Sequence, residues 1–367
     1  MGGAAVLRWV HRWAGASVSL MLVILGLSGT LLVFKDDWLR ASLPGASVPV
    51  TADPAMAADA ALAAERAFGA DAVRSVVLAH PGLGLHTVGL ADGGGAYLAP
   101  GGAVVDRWTG TGRPEVWLFD LHHRLLSGQT GELVVGFTGL ALVILALTGL
   151  AITLPLRPGL LLALWPASRA RRDLLAAHRG LGLALAGPLI VFAASGAAMV
   201  FDQPARAVAG LLGGGQTAPP PPPALPATPG AVATDWREAL TLAQALHPQA
   251  RLRVLVWPGA GRPVQIRLRG PDEWHPNGRT TVWLQPGPAR VLASTAASAL
   301  PRGERWYHAL YPIHAAKLGT GVGARLADLS WAAAGLGPAA GGLFGLWAFL
   351  IRPVRPRHGH RRTASAG

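Results

Sequence analysis

The chain has 367 residues, of which 51% are hydrophobic and 14% are charged, and its mean hydropathy is +0.37. That balance is too apolar for an ordinary soluble protein and indicates membrane spans. The lack of cysteine excludes disulfides, thiolate-held iron–sulfur clusters and cysteine-linked c-type haem. The formal net charge of +13 raises the question of nucleic-acid binding, but membrane topology and anionic lipid headgroups explain these arginines better, and no nucleic-acid partner is expected.

Four charge-free stretches of about 22–24 residues are long enough to cross a bilayer, because a helix needs roughly 20 residues to span the hydrocarbon core. They are residues 13–34, 133–156, 180–201 and 329–351. The first stretch resembles a secretory signal sequence with Arg8 and Arg12 as its positive leader. It is longer than a usual signal core, however, and "FKDDW" follows it instead of a clear cleavage site. We therefore predict four retained transmembrane helices.

Arginines mark one side of the predicted membrane protein. They precede the first span, fill the loop between the second and third spans, and follow the fourth span. They are Arg8, Arg12, Arg157, Arg169, Arg171, Arg172, Arg179, Arg352, Arg355, Arg357, Arg361 and Arg362. The positive-inside rule predicts that all three segments, and hence both termini, are cytoplasmic, and that the two long segments between spans face outside.

The chain divides accordingly into spans and segments. We predict transmembrane helices at 8–34, 122–156, 178–202 and 314–352, extracytoplasmic segments at 35–121 and 203–313, a cytoplasmic loop at 157–177 and a basic cytoplasmic tail at 353–367. Each outer segment has a helical pattern followed by short apolar runs such as "VRSVVLA" or "PVQIRLRG", and the second begins with the proline-rich linker "GGGQTAPPPPPALPATPG". The predicted fold class is therefore membrane α+β, with a four-helix bundle and two outer helix-plus-antiparallel-sheet domains.

Internal similarity divides the chain into two halves. "LRWVHRWAGASVSLMLVILGLSGTLLVF" aligns without a gap to "LLAAHRGLGLALAGPLIVFAASGAAMVF" at a constant offset of 167 residues, as from His11 to His178. "DLHHRLLSGQTGE" and "YPIHAAKLGTGVG" correspond more loosely before the second and fourth spans, and the hairpin sequences "YLAPGGAVV" and "WLQPGPARV" also correspond. We predict two parallel repeats, each with the order helix, outer domain, helix.

One histidine stands near the start of each span. The predicted topology places His11 and His178 at the cytoplasmic surface, and His122 and His314 at the outer surface. Two neutral imidazoles that face each other across a bundle can hold one iron from its two axial sides, whereas a zinc site needs further ligands. The pattern predicts two bis-histidine haems, with His123 as the alternative ligand to His122.

Small residues lie at the depths where a flat macrocycle needs room. Ser28–Gly29 and Ser195–Gly196 are level with the outer histidines, and Thr148–Gly149 is level with the inner ones; residues 337–342 lie at a similar depth. The alternative interpretation is that the histidines cap helices or contact headgroups and that the glycines serve helix packing alone.

Several other charged and titratable residues have ordinary interpretations. Arg12 and Arg179 directly follow their histidines, and they either pair with haem propionates or only follow the positive-inside rule. His308 is expected at the surface or beside a propionate. The remaining histidines are expected to be solvated surface residues: His80, His86, His247, His275, His358 and His360.

The motifs "HRWAGASVSLMLVILGLSG", "DLHHRLLSGQTGELVVGFTGLALVILALTGL", "AHRGLGL", "HPNGRTTVWLQPGPARVL" and "LYPIHAAKLG" resemble the PepSY-associated transmembrane family of bacteria over nearly the whole chain. The resemblance implies a multi-pass protein of the cytoplasmic (inner) membrane with two extracytoplasmic PepSY-like domains. Members are often called iron-regulated membrane proteins, and some are similar to di-haem ferric-siderophore reductases. The resemblance therefore implies two haem b groups, whose ligands would be His11, His178, His122 and His314. Ala315 departs from the small polar residue or glycine common there, without removing a ligand.

The expected function is transmembrane electron transfer by a haem-dependent ferric-chelate reductase. Its expected partners are membrane lipid, a ferric chelate or siderophore, and a quinol or cytoplasmic electron donor. One alternative is a membrane-anchored domain that binds or regulates an extracytoplasmic protease or envelope partner. Another is a metal-ion transporter, which predicts acids inside the membrane, yet the four charge-free stretches contain none.

Overall fold

The computed structural model describes residues 2–154, 163–214, 223, 225, 233–257, 262–318 and 322–351. In this part of the chain four helices are long and apolar enough to cross a membrane. They are α1 (Gly3–Val33), α5 (Gly128–Thr153), α6 (Arg171–Val200) and α10 (Val322–Leu350). The predicted number of four membrane-spanning helices is confirmed. Arg157, most of the proline-rich linker and the basic tail lie outside the described residues.

The four long helices form one bundle. Helix α1 packs against α5 and α10, and α6 packs against the same two helices. A Cβ atom on Gly26 of α1 would lie 2.4 Å from the carbonyl oxygen of Gly335 in α10, so only glycine permits this approach. Thr30 Oγ1 donates to the carbonyls of Gly26 (2.8 Å) and Ala332 (3.3 Å). Small residues and hydroxyl groups thus hold α1 against α10, as is common between membrane helices.

Six shorter helices connect the bundle to a sheet or cover that sheet within the described residues. They are α2 (Lys35–Ser42), α3 (Pro54–Phe68), α4 (Pro114–Arg124), α7 (Asp202–Gly213), α8 (Trp236–Leu246) and α9 (Arg302–His314). The sequence placed His122 and His314 at the starts of spans, but in the structure they lie on α4 and α9. The chain breaks at Leu125 (φ 48°) and Ala316 (φ 57°) before α5 and α10 begin.

One antiparallel sheet carries all eight strands of the described residues, in the order β4-β3-β2-β1-β5-β6-β7-β8. The strands are β1 (Val73–Val77), β2 (His86–Leu90), β3 (Gly95–Leu98), β4 (Val104–Trp108), β5 (Arg251–Val256), β6 (Val264–Arg269), β7 (Thr280–Gln285) and β8 (Arg290–Thr295). Because β1 pairs with β5, the two predicted sheets are continuous. The β3–β4 and β7–β8 hairpins are equivalent, as the sequence predicts.

Helices α3 and α8 lie side by side against the sheet, one from each half of the repeat. Their buried alanine and leucine side chains pack on alternate strand residues such as Leu255 and Ile266, both fully buried. Glu65 of α3 joins the halves, since its Oε1 accepts hydrogen bonds of 2.8 Å from the indole nitrogens of both Trp236 and Trp257. The sheet domain is therefore one unit with a shared core.

Candidate functional site

The four histidines that the repeat singled out come together in two pairs. The ring centroids of His11 and His178 are 6.1 Å apart, and those of His122 and His314 are 6.2 Å apart. Two imidazoles that bind one metal from opposite sides have centroids roughly 6 Å apart, because each metal–nitrogen bond is about 2 Å long. Both pairs have the separation that a shared metal requires, and each contains one histidine from each half of the chain.

The two pairs lie near opposite ends of the bundle. His11 is on α1, and Ser28 further along the same helix contacts His122. At about 1.5 Å of rise per residue, these two positions are ~25 Å apart along the helix. This spacing approaches the ~30 Å thickness of a hydrocarbon core. Following the predicted topology, we call the His122–His314 pair the outer pair and the His11–His178 pair the inner pair.

Hydrogen bonds to Nδ1 orient both rings of the outer pair. The Nδ1 atom of His122 is 2.9 Å from Ser28 Oγ. The Nδ1 atom of His314 is 3.2 Å from Ser195 Oγ and 3.1 Å from the carbonyl oxygen of Phe192. Each serine hydroxyl donates its own proton to a carbonyl in its helix at 2.7 Å, so its oxygen accepts the proton on Nδ1. The Nε2 atoms therefore keep their lone pairs.

The inner pair has the same arrangement with different acceptors. The Nδ1 atom of His11 lies 2.9 Å from Thr148 Oγ1, which itself donates to the carbonyl of Ile144 at 2.8 Å. The Nδ1 atom of His178 donates to the carbonyl oxygen of Gly341 at 2.8 Å. A hydrogen bond that fixes the proton on one ring nitrogen makes the other a metal ligand. In all four imidazoles Nε2 is thus the nitrogen that remains available to bind a metal.

A glycine packs against each of the four rings. An added Cβ would lie 2.8 Å from the facing histidine at Gly29 and Gly196 in the outer site, and 3.3 Å and 3.2 Å away at Gly149 and Gly345 in the inner site. The two outer distances are shorter than real Cβ contacts, so a larger residue would displace the ring. The sequence predicted room at three of these glycines, while Gly345 lies one turn beyond the predicted 337–342.

Each histidine pair lines a cavity between the spans. Counting the part that is open to the surroundings, the space free of protein atoms is roughly 900 Å³ at the outer pair and 1500 Å³ at the inner pair. The outer lining is mainly apolar. Four arginines line the inner cavity: Arg8, Arg12, Arg171 and Arg179. The two sites thus share their ligand geometry but differ in charge.

From the sequence, two of the inner arginines were used only to predict membrane topology and were not expected at a site. Arg8 lies three residues before His11, and Arg171 lies seven residues before His178. Residues three, four or seven apart share one face of a helix, so helical spacing from the histidines is the signal that identifies them. Glu132, just outside the predicted charge-free stretch, lies in the first turns of α5 and lines the outer cavity.

The structure distinguishes the two members of the "HH" doublet. His122 faces His314, whereas the ring of His123 stacks on Phe119, with centroids 4.4 Å apart and planes 21° apart. His123 still lines the edge of the outer cavity together with Glu132. The geometry therefore favours His122 over His123 as the ligand.

The prediction that the histidines of the outer segments are surface residues is wrong for His86 and His275. His86 is fully buried in the sheet domain, and burial lowers its pKa to about 4. His275 is 7% exposed, and burial together with the charge of Arg279 lowers its pKa to about 2. His308 is half-buried on α9, lies 2.9 Å from a carboxylate oxygen of Glu304 and lines a different cavity from the four paired histidines.

A four-span bundle, a sheet domain built from two related halves and a histidine pair at each end of the bundle define a multi-pass membrane protein with two sites suited to a cofactor. A family model described as "PepSY-associated TM region" matches residues 8–352. The chain belongs to this family, which confirms the resemblance seen in its motifs. Among curated proteins, none matches the chain.

Proposed function

We propose that this chain is a two-haem protein of the bacterial inner membrane that transfers electrons from a quinol or cytoplasmic donor to a ferric chelate or siderophore. The observation that carries the proposal is the geometry of the two histidine pairs, with centroids 6.1 and 6.2 Å apart and every Nδ1 engaged by an acceptor. Membership of the PepSY-associated family is consistent with it.

The ligand set fits haem b better than a bare metal ion. Each pair supplies two imidazole nitrogens, and within the described residues no group of three or more His, Cys, Asp or Glu side chains could hold an ion. Two imidazoles per site would suit a metal that brings its other ligands with it, as the iron of a haem does. Since the chain has no cysteine, a haem in these sites would be held without thioether bonds.

Bound haem iron would supply one-electron redox chemistry at each site. The chain's own groups have separate roles around it. The hydroxyl and carbonyl acceptors hold the Nδ1 protons and keep Nε2 available as the ligand. The four inner arginines supply positive charge where carboxylates of an anionic cofactor would lie. The mainly apolar lining of the outer cavity would limit the access of water to the site.

The direct test is a visible difference spectrum of dithionite-reduced against oxidised purified protein, with haem per chain measured as the pyridine haemochrome. We expect low-spin b-type bands and about two haems per chain, one for each histidine pair. His122→Ala and His314→Ala should each remove about half of the haem. His123→Ala is the matched control, and it should retain the wild-type content.

Two results would contradict the proposal. Colourless protein purified from haem-replete cells would favour the membrane-anchored domain that binds or regulates an extracytoplasmic protease or envelope partner. Equal haem loss in His123→Ala and His122→Ala would mean that the ring pairing of His122 with His314 does not determine the ligand.

A further inference from the structure

A third cavity lies outside the bundle, between the second half of the sheet and α9. With its open part included, the space free of protein atoms there is roughly 1380 Å³. Its lining contains the ring side chains of Trp274, His275 and His308, two arginines (Arg279 and Arg305) and two carboxylates (Asp272 and Glu273). Trp274 is 60% exposed at its rim and also lines an adjoining pocket with Arg269 and Lys317. The cavity therefore combines an exposed aromatic surface with charged groups of both signs, so the partners of each charged group decide what it can bind.

Arg279 is a largely buried cation in this cavity. Of the acids around it, Asp272 is exposed at the surface, and Glu304 and Glu273 have other partners. Glu304 contacts Arg206 and His308. The carboxylate of Glu273 accepts three hydrogen bonds, from the backbone nitrogens of Gly270 and Arg279 and from the Thr280 hydroxyl. Neither carboxylate forms an ion pair with the Arg279 guanidinium within the described residues.

The hydrogen bonds of the Arg279 guanidinium are also incomplete. One Nη lies 2.8 Å from His275 Nε2, and Nε has no partner in the described part of the chain. Burial, reinforced by the charge of Arg267, lowers the pKa of Arg279 to about 10. The charges of Glu304 and Glu273 act on Arg279 without forming an ion pair and do not outweigh its burial. An anion that entered the cavity and accepted a hydrogen bond from Nε would therefore be stabilised by this guanidinium.

The cavity is close to the outer histidine pair through α9. Tyr311 of α9 stacks on His275, with ring centroids 5.0 Å apart and planes 27° apart, and it lies one turn before His314. His308, which lines the cavity, is about 9 Å from His314 along the helix axis. A ligand in this cavity would therefore lie beside the helix that carries an outer ligand residue.

We propose that this cavity binds an iron(III) chelate whose negative charge is carried by carboxylates, and that it is where the electron acceptor docks. The inference rests on the proposed function for its acceptor, and on Arg279 and Arg305 for its specificity. The same oxyanion chemistry occurs in lipid phosphates, so the experiment must separate a soluble chelate from a headgroup.

Gallium(III) citrate is the probe, because gallium(III) forms similar chelates to iron(III) but is not reduced under these conditions. Titration calorimetry on the full chain in phosphatidylcholine nanodiscs should show saturable binding. Arg279→Gln and Arg305→Gln should each weaken it about tenfold or more, the loss expected for a charge-assisted hydrogen bond. Arg305 is exposed at the cavity mouth, so its variant keeps the test valid if Arg279→Gln folds poorly.

Arg290→Gln is the matched control, since it removes one positive charge from the exposed side of β8, outside the cavity, and should change the affinity by less than about twofold. If Arg290→Gln and Arg279→Gln weakened gallium(III) citrate binding equally, net charge alone would explain the binding and the proposal would be overturned. If the wild-type protein lost gallium(III) citrate binding in phosphatidylglycerol nanodiscs, the site would be assigned to lipid headgroups, and this result would also overturn the proposal.

The two proposals fail separately in these measurements. Haem-free protein that binds gallium(III) citrate through Arg279 would refute the two-haem function and leave an anion site. Haem-loaded protein that does not bind gallium(III) citrate would refute the docking site and leave the two-haem function standing.

Discussion

The position of each paired histidine ring depends on two small neighbours. A hydroxyl or carbonyl group accepts the proton on Nδ1, and a glycine leaves room for the ring. In three cases both functions come from adjacent residues, in the pairs Ser28–Gly29, Thr148–Gly149 and Ser195–Gly196. The hydroxyl fixes which ring nitrogen carries the proton, and the glycine sets how closely the ring approaches the helix. Together the two residues determine which nitrogen faces the cavity.

Gly196→Ala tests the steric half of this arrangement. The added Cβ would lie 2.8 Å from His314 Cε1, so the ring must move and its Nε2 must turn away from His122. We expect the bound haem to fall by up to about half, because only the outer site is affected. Gly187→Ala on the same helix is the matched control, since its Cβ would meet nothing within 4 Å. Equal haem content in the two variants, measured as the pyridine haemochrome, would contradict the expectation.

Residues whose role follows from helical spacing could be predicted from the sequence, and residues whose role follows from loop packing could not. The repeat identified His11 and His178. Arg8 and Arg171 lie on the same helix faces as these histidines, so helical spacing could have identified them too. The burial of His275 depends instead on how a loop folds against α9. No short-range pattern encodes that contact, because the residues that cover this histidine are distant in sequence.

At the level of elements, the sequence predicted two separate sheets, whereas the described residues form one continuous sheet. Alternating apolar residues identify strands and the face that is buried, but they do not show what an edge strand pairs with. The edge strands β1 and β5 pair with each other, Val76 opposite Leu255, and so protect both edges. The breaks after α4 and α9 were also missed, because left-handed turns usually contain glycine and here contain Leu125 and Ala316.

Glu65→Ala tests whether the two halves share one core. It leaves the indole nitrogens of Trp236 and Trp257 without their acceptor, and Trp236 is only 1% exposed. A buried donor left unpaired costs about 1–3 kcal/mol, so we expect the sheet domain to lose about 2 kcal/mol or more of its free energy of unfolding. Tryptophan fluorescence during denaturant unfolding in detergent measures this loss, and Glu65→Gln, which retains an oxygen acceptor, should lose less.

The matched control for Glu65 is a second link between α3 and α8. Asp59 pairs with Arg237 at 2.6 Å, but both side chains are more than half exposed. Exposed ion pairs contribute little, so Asp59→Ala should cost less than about 1 kcal/mol. A loss in Asp59→Ala as large as that in Glu65→Ala would show that contact between the helices in general, and not the buried indole hydrogen bonds, stabilises the joined sheet.

For the whole molecule, the repeat explains why there are two similar sites. Each histidine pair takes one residue from the first half and one from the second, so neither half forms a pair alone. The continuous sheet likewise needs both halves, since β1 and β5 meet at the junction. The duplicated sequence therefore gives the bundle a histidine pair of similar geometry at each end. The arginines at one end make the two ends chemically different.

That difference in charge predicts how the molecule is oriented in the membrane. Arginines cluster around the start of α6, at Arg169, Arg171, Arg172 and Arg179, and the positive-inside rule places this end of the helix in the cytoplasm and the sheet outside. Because the chain has no cysteine, single introduced cysteines report sidedness without background. In spheroplasts, a membrane-impermeant maleimide should label Gly101→Cys, on the β3–β4 turn, and should label Ala167→Cys, an exposed position before α6, only after detergent is added. The reverse pattern would place the arginine-lined histidine pair at the outer surface, and a ferric chelate outside would then face the other end of the bundle.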